Sequence, residues 1–249
     1  MKKIICAVFA LCLLSSACYS EKKNARIETG GVTIDETSEL SERDVFFKKK
    51  LFPELRRQNY AGAQQLISEE TEKHPEYQKE PLFFTARSLI NFNKGSYDEA
   101  YRDSSKVIEI MEQRFAPKKP WQIEFHSENA RNSVASHYLY RYQALMKLGR
   151  NSEALSDVET ALKIQEKPRL ILIKGELQLK LKQYEDAAAA IDRAFVLDPE
   201  VLAREGESAG MNVCTIFYEH GYLKVKACKD YFKIIEDKKQ EAEEEAAEN

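Results

Sequence analysis

A chain of 249 residues that is 43% hydrophobic and 32% charged can bury a sizeable core, and its formal net charge of -3 leaves no basic footprint for nucleic acid. No run of lysines or arginines is long enough in the sequence to read as a site for an anionic membrane surface. The first element is an export signal. Lys2 and Lys3 precede the apolar run Ile4 to Leu14 and then Ser15-Ser16-Ala17. That run is shorter than the roughly 20 residues a helix needs to cross a bilayer, so residues 1–17 target the chain and stand outside its fold.

The stretch LLSSAC, Leu13 to Cys18, resembles a bacterial lipoprotein lipobox, with Ser15 in the place usually held by leucine. The resemblance implies acylation of the Cys18 sulfur and cleavage just before it, leaving Cys18 as a lipidated N-terminus. The alternative is ordinary signal peptidase, which Ser15-x-Ala17 also suits and which releases a soluble product from the same bond. Residues 18–40 carry Gly30-Gly31, many charges, threonine and serine, and no helical period, and they read as a flexible tether.

Beyond the tether, four segments share one register. They are Tyr60-Ala61-Gly62-Ala63, Tyr97-Asp98-Glu99-Ala100, Asn151-Ser152-Glu153-Ala154 and Tyr184-Glu185-Asp186-Ala187. Their last alanines are separated by 37, 54 and 33 residues. Pro75 and Pro199 each stand 12 residues after an alanine, Pro81 and Pro168 each 19 before one, where proline suits the first turn of a preceding helix. Ser88 and Gly175 fall 12 before, where two helices would cross closely. This pattern resembles the tetratricopeptide repeat family, whose period is about 34 residues. It predicts an all-α solenoid of about four helical hairpins over residues 41–200. Leu51 and Tyr142 depart from the pattern at the small-residue position, and Asn151 replaces the tyrosine.

Two local features are read through that register. "RLILIKGELQLKLK" alternates like a strand at Leu177, Leu179 and Leu181, but Leu170, Ile171, Ile173, Leu177 and Leu181 also recur at helical spacing, and the hairpin register makes it a helix. Between the second and third copies lie twenty extra residues with Pro117 and Pro120. The expected arrangement is a short turn and then an unusually long helix running from about Trp121 and Phe125 to Gly149. The alternative is an aromatic loop that grips a ligand.

Residues 201–238 read as a degenerate fifth hairpin turning near His220-Gly221 and capping the array, and 239–249 as an acidic tail. Cys214 and Cys228 are equidistant from residue 221, so antiparallel helices would place them at one height, and export favours a disulfide between them; two buried free thiols are the alternative. No catalytic constellation is recognised. Cys214 and His220 are six residues apart and do not face each other on one helix, and His74, His126, His137 and His220 lack metal-ligand spacing. No phosphate-cradling glycine loop is present. No cofactor or metal is expected.

What the repeat resemblance implies is a binding scaffold whose inner face, lined by the first helix of each pair, receives a protein or peptide. In this register that face draws on Thr85, Leu89, Phe92, Leu139, Gln143, Met146, Leu172, Glu176 and Leu179. Signal and repeats together lead to the expectation of a non-enzymatic envelope lipoprotein that scaffolds or assembles other proteins. Tyr19 after Cys18, in place of an aspartate, favours the outer membrane, facing the periplasm. A structural envelope protein and a repeat-bearing enzyme are the alternatives.

Overall fold

The computed structural model describes residues 41–125, 127–201, 207–222, 225–231, 233 and 240. The signal region, Cys18, the tether and most of the acidic tail lie outside them. All regular structure among the described residues is helical. The chain divides into two compact units, Met1–Arg150 and Asn151–Asn249. That division falls inside the third sequence copy.

In the first unit, α1 is one helical run over 42–56: α-helical at Glu42–Asp44, π-helical at Val45–Leu51 and α-helical again at Phe52–Arg56. Pro53 offers no N–H to the carbonyl four residues back, and the wider winding sends the Phe52 N–H to Phe47 O instead. Then come α2 (Tyr60–Lys73), a 3-10 turn (Pro75–Lys79), α3 (Pro81–Lys94), α4 (Tyr97–Phe115), a second 3-10 turn (Pro120–Gln122) and α5 (Glu128–Lys147). Pro81 opens α3 as the register requires, and Asn59 caps α2 by accepting the Gly62 N–H at 3.1 Å. The core gathers Phe46, Phe47, Leu51 and Leu55 of α1 with Phe83, Leu89 and Ile90 of α3 and with Tyr140 and Ala144 of α5.

The second unit holds α6 (Asn151–Ile164), α7 (Pro168–Lys180), α8 (Tyr184–Leu197), α9 (Glu207–Glu219) and a helical segment at 226–231. The strand-like alternation is indeed carried by a helix, α7. Its Leu170, Ile171, Leu172, Ile173, Leu177 and Leu179 are all buried, so it is apolar around most of its circumference and alternation along it carries no strand meaning.

One turn geometry recurs through both units. Gln58, Gly95, Gly149, Lys182 and Gly221 have left-handed backbone, with φ of 61, 83, 74, 62 and 80°. Each N–H bonds the carbonyl three residues back, and the next N–H reaches five back: Gly95 N to Phe92 O and Ser96 N to Asn91 O, with the same pairings at the other four. This is the Schellman stop of a helix. In the first four it stands five residues before a fully buried alanine, Ala63, Ala100, Ala154 or Ala187. The chain is therefore a helical repeat whose fifth turn, at Gly221, has the same backbone as the others.

Those alanines sit where helices meet closely. Ser88 Oγ donates to the Ala100 carbonyl at 2.9 Å, and a Cβ placed on Gly175 would meet Ile191 Cγ1 at 2.6 Å and the Ala187 carbonyl at 3.3 Å. Ala187→Leu or Ala100→Leu should therefore overpack a filled space and lower stability by about 1 to 3 kcal/mol, read as a shift in denaturant midpoint. A midpoint equal to that of the wild type would show that these alanines do not mark helix crossings.

The extra residues between the second and third copies are distributed differently from the expectation. Helix α5 is long, 20 residues, but starts at Glu128. Ser127 Oγ accepts the Ala130 N–H at 3.2 Å and so fixes that start, while Trp121 lies in the 3-10 turn. Helix α4 absorbs part of the insertion and reaches 19 residues. The two long neighbours are linked by the Tyr138 hydroxyl donating to Glu112 at 3.1 Å, and Phe115 meets Phe125 edge-on at 6.2 Å.

Candidate functional site

The nine residues assigned to a partner-binding face occupy α3, α5 and α7. In the first unit, Thr85, Leu89, Phe92 and Leu139 are buried, while Gln143 and Met146 are half-buried. In the second, Leu172 and Leu179 are buried and Glu176 is half-buried. Leu89 and Phe92 belong to the same core as Tyr140 and Ala144 of α5, and Leu172 and Leu179 to that of Cys214 and Phe217. Of the nine, Gln143, Met146 and Glu176 are the positions that touch solvent appreciably. The larger apolar members fill the space between successive helices, as helical spacing alone would also have allowed.

Charged side chains join the two helices of the second copy. Arg87 on α3 donates to the Asp103 carboxylate on α4 through Nε at 2.8 Å and Nη2 at 2.5 Å, and Asn91 Nδ2 adds a third bond at 3.1 Å. Asp103 is 4% exposed, and these donors satisfy its buried oxygens. Hydrogen bonding to Asp103 raises the Arg87 pKa further, and the guanidinium also lies 5.3 Å from the centre of the Phe83 ring. This network holds one hairpin together.

His137 on α5 was not singled out by sequence. Its Nδ1 is sealed from solvent with no hydrogen-bond partner among the described residues, although part of the side chain reaches the surface. Burial alone lowers its pKa to about 4. Its nearest described ring is Tyr140, edge-on at 6.3 Å.

In the second unit Cys214 and Cys228 are bonded, with Cα atoms 5.5 Å apart. Both are buried, beside Phe217 and Tyr231. The Ala227 N–H donates to Asp192 Oδ1 of α8 at 2.7 Å, so a neighbouring helix supplies an acceptor for the start of the segment at 226–231. At the Gly221 turn His220 stacks on Tyr184 with ring centres 4.3 Å apart, and its Nδ1 lies 2.9 Å from the Ile216 carbonyl. The Tyr222 hydroxyl donates to Glu185 at 2.5 Å, which holds that carboxyl below its usual range and raises the tyrosine's own pKa. Tyr184 thus serves as the ledge on which the fifth turn rests.

Among the described residues no group of three histidine, cysteine or carboxylate side chains is placed to hold a metal ion, and no helix is long and apolar enough to cross a membrane. Comparison with known proteins finds no family model and no curated protein that matches the chain.

Proposed function

We propose that the protein is a tetratricopeptide-repeat lipoprotein of the bacterial cell envelope, a non-enzymatic scaffold or assembly factor that holds other proteins. The observation carrying this reading is the recurrence of one turn: a left-handed residue five positions before a buried alanine, four times, in the register that resembles the family. Stacked hairpins of this kind use most of their residues to bury one another and offer an extended surface of side chains, a construction suited to binding rather than to chemistry. On the expected inner face a partner would be met first by Gln143 and Met146 in the first unit and by Glu176 in the second, with the buried members of each unit holding the helices that display them.

The decisive measurement is crosslinking in intact cells followed by identification of what is recovered. One specific protein captured by the wild type, and lost from Gln143→Ala/Met146→Ala, would support the scaffold. Recovery of no protein would shift the reading to a purely structural envelope component. Anchoring is a separate matter: Cys18→Ser should abolish both labelling by a fatty-acid probe and partition with membranes. A wild type that is itself unlabelled and soluble would make the protein an ordinary secreted one.

A further inference from the structure

Helix α1 concentrates charge that the sequence disperses. Lys48, Lys49, Lys50, Arg56 and Arg57 are all exposed, whereas Phe46, Phe47, Leu51 and Leu55 of the same helix are buried in the core. Between Lys48 and Arg57 the only carboxylate is Glu54, in a protein whose formal net charge is -3. Glu54 is paired with Arg57 at 2.9 Å and Asp44 with Lys48 at 3.5 Å. Lys49, Lys50 and Arg56 have no carboxylate partner among the described residues. Lys49, Lys50 and Arg57 further line one shallow depression with Pro53 and Leu66 and with two carboxylates, Glu54 and Glu69, so three cations face two anions there and a positive charge is left over.

We infer that this basic face of α1 is a docking surface for the anionic phospholipid headgroups of a bilayer. The inference deepens the envelope reading above and rests on it for one point, the membrane's nearness. At about 3.4 Å per residue the chain between Cys18 and Ser41 spans at most about 80 Å, so a lipid on Cys18 confines α1, the first described helix, within that reach of the bilayer and raises its effective concentration there. Exposed ammonium and guanidinium groups without internal partners interact with such a surface and give up no ion pair to do so. The apolar side of α1 is already committed to the core, so contact is electrostatic and superficial, without insertion of the helix.

The test uses the exported chain carrying Cys18→Ser, which has no lipid, with sedimentation on vesicles of phosphatidylcholine alone or with about 30% phosphatidylglycerol. Binding should appear on the anionic vesicles and fall steeply as salt is raised. The variant Lys49→Gln/Lys50→Gln/Arg56→Gln should bind them more weakly by about fivefold per charge, roughly a hundredfold in all. A control neutralising Arg102, Lys147 and Lys180, exposed cations on other helices, should bind like its parent. Equal binding to both vesicle types, an unchanged triple variant, or an equal loss in the control would overturn the inference. So would retention by poly-glutamate without retention by vesicles, which would point to an acidic peptide. Because no lipid is attached, failure here is distinct from failure of Cys18 labelling.

Discussion

Replacing Cys214 and Cys228 together by alanine should lower the stability of the second unit by about 3 kcal/mol, the value expected for a closed loop of this size, in which the cysteines are separated by 14 residues. Both side chains are fully buried, so alanine leaves no unsatisfied group, and the loss comes mainly from the freedom returned to the unfolded chain. Hydrogen exchange should rise most at 225–231, which the bridge and the Asp192 bond to Ala227 hold against the rest of the unit. Mass spectrometry of native protein alkylated before and after reduction checks the pairing itself. Two thiols that alkylate freely in folded, exported material would refute the bridge.

Acid should weaken the first unit through His137. Its folded pKa of about 4 lies below the ordinary 6.5, so between these values the unfolded chain binds a proton that the folded chain refuses. The stabilisation is therefore complete above pH 6.5 and is lost as pH falls toward 4. Between pH 7 and 5 the loss should be about 1 to 2 kcal/mol, reduced from the full linkage value because part of the ring side chain meets solvent. Denaturant titrations at the two pH values measure it, with His137→Leu as the comparison. The leucine variant should lose less over the same interval; an identical loss in both proteins would place the acid sensitivity elsewhere.

The repeat was legible because its signals are local. Pro81 and Pro168 start helices through a missing N–H, Gly95, Gly149 and Gly221 stop them through backbone freedom at positive φ, and the buried alanines mark where helices meet. Each effect needs only a few neighbouring residues, so spacing along the chain carries it. Gln58 and Lys182 occupy the same turn conformation without glycine's freedom, and there the surrounding hairpin imposes a backbone that the residue itself disfavours. The equal distances of Cys214 and Cys228 from the turn were also readable, since an antiparallel hairpin is close to symmetric about its connection.

What sequence alone could not decide was which apolar side chains face other helices and which face solvent. Helical periodicity places Leu89, Phe92, Leu172 and Leu179 on a stripe, but only neighbouring helices determine whether that stripe is open, and here they bury it. The start of α5 depended on Ser127 capturing the Ala130 N–H, a choice between serines that spacing leaves open. Sequence likewise could not seal the Nδ1 of His137, because desolvation is a property of everything packed around a group. The basic face of α1 arises in the same way: a winding helix and a buried apolar side bring Lys48 to Lys50 and Arg56 and Arg57 to the surface together, where a linear reading finds only three adjacent lysines. Backbone chemistry acts between near neighbours and is written in the chain, whereas burial and shared electrostatic fields act across space and exist only once the helices have packed.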